Sequence, residues 1–196
     1  MLKISALFLI ISNFFSGVAY ANDATLSRIE KYLNNLTTIT ADFTQDTSDG
    51  NVAVGKFYLE RPNKMRWEYE PPTPILMVSN GSFITYFDRG LAQISHIPID
   101  STLAAFLIRP KISFSDDITL DSLTKYKGII AISVHQTAKA DEGELTMEFA
   151  DKPLVIRSFM IKDSSGEITK ISFQNARFGQ TIEPELFVFH DPTAPK

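Results

Sequence analysis

The chain reads as a mainly β domain: an antiparallel meander that curls on itself, with one helix at its start and a short helical insertion near its midpoint. Three observations predict this. Apolar residues recur at every second position through much of the chain, as in Met65, Trp67 and Tyr69 against Lys64, Arg66 and Glu68. Turn residues punctuate those runs at short intervals, among them Ser48-Asp49-Gly50, Asn80-Gly81 and Asp163-Ser164-Ser165-Gly166. A helical period occurs only in brief stretches.

Ahead of the domain lies a segment with the three parts of a secretory leader. Lys3 supplies the positive start, Ile4 to Phe15 is apolar apart from Ser5, Ser12 and Asn13, and Ala19-Tyr20-Ala21 places small residues where a signal peptidase reads. Cleavage is expected after Ala21, separating a leader (1–21) from a single domain (22–196). An uncleaved anchor is the alternative, but the apolar stretch falls short of the roughly 20 residues a bilayer requires.

The domain opens on a helix. Leu26, Ile29, Leu33 and Leu36 form one stripe, with Asp23 or Thr25 available as N-cap and Arg28, Lys31 and Asn35 on the other face. From Ile39 the period shortens to two. Ala41-Phe43-Gln45 alternates with polar neighbours, Val52 to Glu60 follows, and Arg61-Pro62-Asn63 breaks the run before Met65-Trp67-Tyr69. Pro71-Pro72-Thr73-Pro74 stops pairing, since proline donates no ladder bond. Ile75 to Val78 and Phe83 to Phe87 flank a hairpin turn, and Leu91 to Ile97 is the next strand.

In the middle, Ser101 caps a short helical stretch in which Leu103, Phe106 and Leu107 share a face, and Pro110 closes it. Residues 111–126 are ambiguous, with another helical turn as one reading. Strands resume at Gly128 with Ile130-Ile132-Val134, then Leu145-Met147-Phe149, then Leu154–Lys162 and Glu167–Phe178 around a tight turn. Phe187 and Phe189 mark a last strand before Pro192.

Composition narrows the function. The formal charge is −4 for the whole chain, and Lys3 is the only charge in the leader, so the domain is slightly more acidic still. That argues against nucleic acid, which needs clustered cations. Cysteine is absent, so no disulfide staples the fold and no cysteine is available for acylation. No hydrolase, phosphate-loop, dinucleotide or zinc signature occurs. His96, His135 and His190 lack metal-ligand spacing and read as strand-face or sheet-edge residues, and Asp116-Asp117 reads as a solvated loop pair. No enzymatic activity, metal or cofactor is expected.

What stands out is the supply of bulky residues on strand faces: Phe43, Phe57, Trp67, Tyr69, Phe83, Met147, Phe149, Phe159, Met160 and Phe173. Fifteen phenylalanines in 196 residues fit either an ordinary core or the lining of a cavity. Periodicity does not separate the two.

The same segments resemble the LolA family, periplasmic carriers of outer-membrane lipoproteins. The resemblance is carried by Phe43-Thr44-Gln45, by the run from Gly55 to Tyr69 (GKFYLERPNKMRWEY), by Ile75 to Gly81 (ILMVSNG), by Tyr86-Phe87-Asp88 and Gln93, and by Phe187-Val188-Phe189. The missing cysteine favours this carrier over the lipid-anchored receptor that it resembles. The family implies a strongly curved antiparallel sheet forming an incomplete barrel, lidded by the N-terminal helix and the mid-chain helical insertion. Acyl chains enter the cavity between. Exposing one chain of about sixteen carbons to water costs on the order of 13 kcal/mol, so an acylated protein needs such a chaperone to cross an aqueous space.

By the same resemblance Arg61 matches a lid arginine that bonds backbone carbonyls of the lid helices and holds the empty form closed; five donors suit a guanidinium to that task. The plain alternative is a solvated arginine beside a turn. Ile29, Leu33 and Leu36 are expected on one part of the lid, Leu103, Phe106 and Leu107 on the other, and Trp67 and Tyr69 on the sheet side. Met65 stands where the family meets its transporter. The implied partners are acylated lipoproteins, an inner-membrane ABC-type lipoprotein-releasing complex and an outer-membrane receptor where one exists, with the carrier a monomer in the periplasm. Two departures are the lack of a proline at the start of the second helix and the short end after Pro192. A carrier of free lipid or glycolipid, and an exported half-barrel sensor or scaffold, are the alternatives.

Overall fold

The computed structural model describes residues 17–99 and 103–194, with side chains for 23–99 and 106–194. The leader therefore lies mostly outside the described residues, as do Ser101 and the side chain of Leu103. Helix α1 (Gly17–Asn35) is followed by β1 (Thr38–Thr47), β2 (Val52–Glu60), β3 (Lys64–Tyr69), β4 (Ile75–Asn80), β5 (Phe83–Asp88) and β6 (Gln93–Pro98). A mid-chain 3₁₀ helix (Leu103–Ile108) leads to β7 (Ile118–Tyr126), β8 (Ile129–Gln136), β9 (Gly143–Ala150), β10 (Val155–Asp163) and β11 (Ile168–Phe178), and a 3₁₀ turn (Pro184–Phe187) lies near the end.

The strands form one 11-stranded antiparallel sheet in the order β6-β5-β4-β3-β2-β1-β11-β10-β9-β8-β7. The expected single meander is thus two meanders, β1–β6 and β7–β11, joined where β1 pairs with β11. Its break falls between β6 and β7, which are the two free edges, and the mid-chain 3₁₀ segment is the strap between them. Register slips at Thr40/Asp42 in β1, Leu120/Ser122 in β7 and Ile156/Ser158 in β10 bend the strands.

How far the sheet curls follows from one contact. Trp67 on β3 and Phe159 on β10 are four strand spacings apart in the sheet order, about 19 Å if the sheet were flat. Their ring centroids are 5.9 Å apart. The sheet is open but strongly curved, and its concave face gathers buried apolar residues from Ile84 on β5 to Ile118 on β7 into one core, with Ile97 of edge strand β6 packed against it.

Over this face lies α1. Ile29 and Leu33 are fully buried on its inner stripe, and Leu36, one residue past its end, is buried as well. The helix stops where the β-branched run Thr38-Ile39-Thr40 begins, after a tightened last turn in which Leu36 N–H donates to Leu33 C=O at 3.3 Å.

Several expectations need correction. α1 is already helical at Gly17, so Asp23 and Thr25 lie inside it rather than at its start; Thr25 is buried and accepts from Lys125 Nζ at 2.6 Å. The ambiguous segment 111–126 holds no further helical turn, and from Ile118 it is strand β7, because Leu120 and Leu123 pair across to Val134 and Ile132. Phe187 and Phe189 form no strand. Phe187 ends the 3₁₀ turn started by Pro184, and Phe189 packs on Phe87 with ring centroids 5.6 Å apart. The segment covers a small apolar patch of Leu76, Val78 and Phe87 on the outer face of the sheet, which strict inside-outside alternation hides. Phe83 is 55% exposed at the end of a hairpin and takes no part in the core.

Candidate functional site

The concave face has an aromatic floor. Cross-strand register puts Phe57 opposite Trp67 and Phe43 opposite Phe173. Phe57 and Trp67 are 4.2 Å apart between centroids, Phe43 and Trp67 4.9 Å, Phe43 and Tyr69 5.0 Å, and Phe159 and Phe173 5.2 Å. Gly55 makes this packing possible. A Cβ there would meet the Glu68 carbonyl oxygen at 2.2 Å and the Phe43 ring at 2.7 Å. The phenol at this floor is satisfied: Tyr69 donates its hydroxyl to Gln45 Oε1 at 2.6 Å, and burial pushes its pKa up to about 12.

The cover has two parts, α1 and the stretch from the 3₁₀ helix to Phe114. Phe106, Leu107, Ile108, Ile112 and Phe114 are all buried in the same core as Ile29, Leu33 and the floor. Of the residues expected on the cover, Ile29, Leu33, Leu36, Phe106 and Leu107 therefore meet the floor, while the side chain of Leu103 falls outside the described residues.

Arg61, at the end of β2, fastens both parts. Its Nη1 donates to the carbonyl of Leu33, its Nε to the carbonyl of Arg109 at 3.1 Å, and its Nη2 to those of Arg109 at 2.6 Å and Pro110 at 3.4 Å. Leu33 C=O is one of the last four of α1, which a helix leaves unsatisfied, and a cation is favoured at that pole. Among the described residues Arg61 forms no ion pair. Its charge is met by carbonyl dipoles, while burial away from water lowers its pKa from the ordinary value; an arginine nonetheless stays protonated. The next turn residue adds to the fastening. Asn63, in the left-handed conformation (φ 63°) that asparagine tolerates, donates its N–H to Ile108 C=O at 2.8 Å.

The two parts of the cover are also tied to each other, through residues that sequence reasoning missed. Asn34 Nδ2 donates to Ile112 C=O at 2.7 Å, and Ile112 N–H donates to Asn34 Oδ1 at 2.9 Å. One turn earlier, Glu30 Oε2 accepts from Phe114 N–H at 3.3 Å. The only available signal was an i,i+4 polar pair, Glu30 and Asn34, flanking the apolar stripe, and such pairs usually face solvent.

The other candidates are placed elsewhere. Met65 is buried on the concave face, 3% exposed, opposite Leu59 and Ser79. His135 Nδ1 meets Asp121 at 2.8 Å, His96 meets Thr85 at 3.3 Å, and His190 pairs with Glu185. Asp117 pairs with Arg109 at 2.9 Å. Among the described residues no three His, Asp or Glu side chains gather as metal ligands, and no helix is long and apolar enough to cross a membrane. A groove of about 740 Å³ lined by Thr40, Asp42, Lys56, Tyr58 and Arg177 lies on the outer face; its polar walls do not suit hydrocarbon.

A family model described as "Outer membrane lipoprotein carrier protein LolA" matches residues 34–190. An outer-membrane lipoprotein carrier protein of Methylococcus capsulatus is 29% identical over 178 residues, covering 85% of this chain and 83% of its own length. An uncharacterised protein of Rickettsia prowazekii is 28% identical over 175 residues, covering 89% and 81%. Among solved structures, an uncharacterised conserved protein of Thermus thermophilus superposes with TM-score 0.52 at 12% identity, covering 87% of this chain and 94% of that one. A domain from Vibrio parahaemolyticus assigned provisionally to outer membrane lipoprotein sorting gives 0.51 at 11% identity, covering 83% and 94%. At such identities the two structures speak to the fold alone.

Proposed function

We propose, from the premise that this chain belongs to the LolA family of outer membrane lipoprotein carrier proteins, that it is an exported periplasmic chaperone for acylated lipoproteins. It takes cargo from an ATP-driven inner-membrane complex, shields the acyl chains between floor and cover, and yields them at the outer membrane. The observation that carries the reading is Arg61, which ties both parts of the cover over an apolar floor through carbonyl contacts alone. A hydrogen bond is worth about 0.5–1.5 kcal/mol net, somewhat more for a charged donor. A handful of them is small beside the ~13 kcal/mol at stake for one acyl chain, so entering hydrocarbon can displace the latch, and the latch can close again once cargo leaves.

In this scheme Ile29, Leu33, Leu36, Leu103, Phe106 and Leu107 contact the acyl chains from the cover side and Trp67 and Tyr69 from the floor. Met65 meets the transporter only after the cover has moved, because the closed form buries it. The test is mass spectrometry of what travels with the native protein isolated from the periplasm. Stoichiometric acylated proteins are expected, together with mislocalised lipoproteins on depletion. Absence of cargo with correct sorting after depletion refutes the reading, and protein-free lipid in the complex would redirect it to a lipid carrier.

A further inference from the structure

Beside the middle of α1 the two neighbouring hairpins, β7–β8 and β9–β10, bring Lys125, Lys127 and Lys152 to Arg28 of the helix, four cations in all. Arg28 is ion-paired with Asp151, and Lys125 donates to Thr25 on the same helix at 2.6 Å. Asp151 N–H donates to the Gly128 carbonyl at 2.9 Å, which sets the turn holding Lys127 beside the turn holding Lys152. Hydrogen bonding by Arg28, then the charges of Arg28, Lys152 and Lys125, hold the Asp151 carboxyl below its ordinary range, so all three surround that acid. The four cations are exposed. Of the nearby acids, Glu148 is occupied by Ser158, Tyr126 and Lys170, and Glu30 is turned to Phe114. In a chain of net charge −4 this local excess of positive charge does not follow from composition.

The cluster lies on the rim that α1 crosses. From Arg28 the helix runs on to Leu33, whose carbonyl Arg61 holds, so the cations flank α1 about one and a half turns before the latch. We propose that this basic rim is a docking surface for an anionic phospholipid surface, which presents the edge of the cover to the membrane. The choice of lipid over another anionic partner rests on the carrier reading; the charge cluster itself does not.

Each basic side chain near an anionic leaflet strengthens partitioning about fivefold, within a Debye length of the surface. The test is cosedimentation of the purified protein with vesicles of phosphatidylglycerol and phosphatidylethanolamine, or of phosphatidylcholine alone, at low and high salt. Binding to the anionic vesicles only, weakened by salt, is expected. Combined Lys125→Glu, Lys127→Glu and Lys152→Glu should lower it more than about a hundredfold. Lys56→Glu with Arg177→Glu, on the outer groove, should leave it unchanged, with thermal melts reporting that both variants fold. Equal binding by the rim variant and the parent, equal binding to neutral vesicles, or binding to soluble polyglutamate without binding to vesicles overturns the proposal. Cargo copurifying as before while vesicle binding fails would overturn this inference alone and leave the carrier reading standing.

Discussion

The guanidinium of Arg61 donates to the backbone carbonyl of Leu33, joining the end of β2 to the last turn of α1. The same side chain reaches Arg109 and Pro110, beyond the 3₁₀ helix. Arg61→Leu removes the side-chain donor from those carbonyls, Leu33 C=O keeping only the Leu36 N–H at 3.3 Å, at about 1–3 kcal/mol for each left buried and unsatisfied. Hydrogen exchange at the amides of α1 and of 106–114 is expected to quicken roughly tenfold or more, because the cover opens at lower cost. Unchanged protection in both segments would show that Arg61 is not the latch.

Asn34→Ala removes two hydrogen bonds to Ile112 at once and should cost about 1–3 kcal/mol in thermal or denaturant unfolding. Its signature differs from that of Arg61. With Asn34 gone, the segment around Ile112 exchanges faster while α1, still held by Arg61, keeps its protection. Equal loosening of both parts would mean that Asn34 does not couple them.

Trp67 is the chain's single tryptophan, so its fluorescence reports on the floor alone. Acyl chains carrying bromine, added as lysolipid, are expected to quench it saturably, and Arg61→Leu should lower the concentration required. No quenching at saturating lysolipid argues against entry beneath the cover. Trp67→Ala should also cost about 3–5 kcal/mol of stability, since Phe43, Phe57 and Phe159 lose their common neighbour.

Gly55→Ala tests the floor without removing any aromatic ring, since its Cβ would press on both the Glu68 carbonyl and the Phe43 ring. The added Cβ collides with the Glu68 carbonyl, which the sheet cannot easily move, so destabilisation of about 1–3 kcal/mol or more is expected from denaturant midpoints. A neutral result would mean that β2 and β3 sit further apart than described.

Glu148 accepts from the Ser158 hydroxyl, then Tyr126 and Lys170, and its pKa is lowered. A carboxylate with a depressed folded pKa stabilises the protein above its unfolded value and loses that contribution as pH falls through the folded one. Stability of the parent should therefore decline with acid below the ordinary glutamate range, and Glu148→Gln should flatten that part of the profile. An unaltered profile would assign the decline to other carboxylates.

Much of this was legible in the sequence. Met65, Trp67 and Tyr69 alternate with charged neighbours, and the structure buries all three on one face. The hairpin at Asn80-Gly81 and the turn at Asp163–Gly166 sit where turn chemistry demands. What failed had a physical cause in each case. Leu120 and Leu123 fall out of step with a strand because a bulge shifts the register between them. Phe187 and Phe189 alternate like a strand, yet the start of their segment is set by Pro184 and a 3₁₀ turn.

The sequence by itself determined most of the strands, the amphipathic helix, the apolar stripe on it and the likeness to the family. Those are properties of residues two to four positions apart, and they survive as local patterns. Only the tertiary structure decided that β6 and β7 are the open edges, which carbonyls Arg61 meets, 28 and 48 residues away, and that Asn34 binds the backbone of Ile112. Backbone carbonyls carry no residue identity, so a contact made to them leaves no mark in the sequence until the chain has curled far enough to bring them within reach.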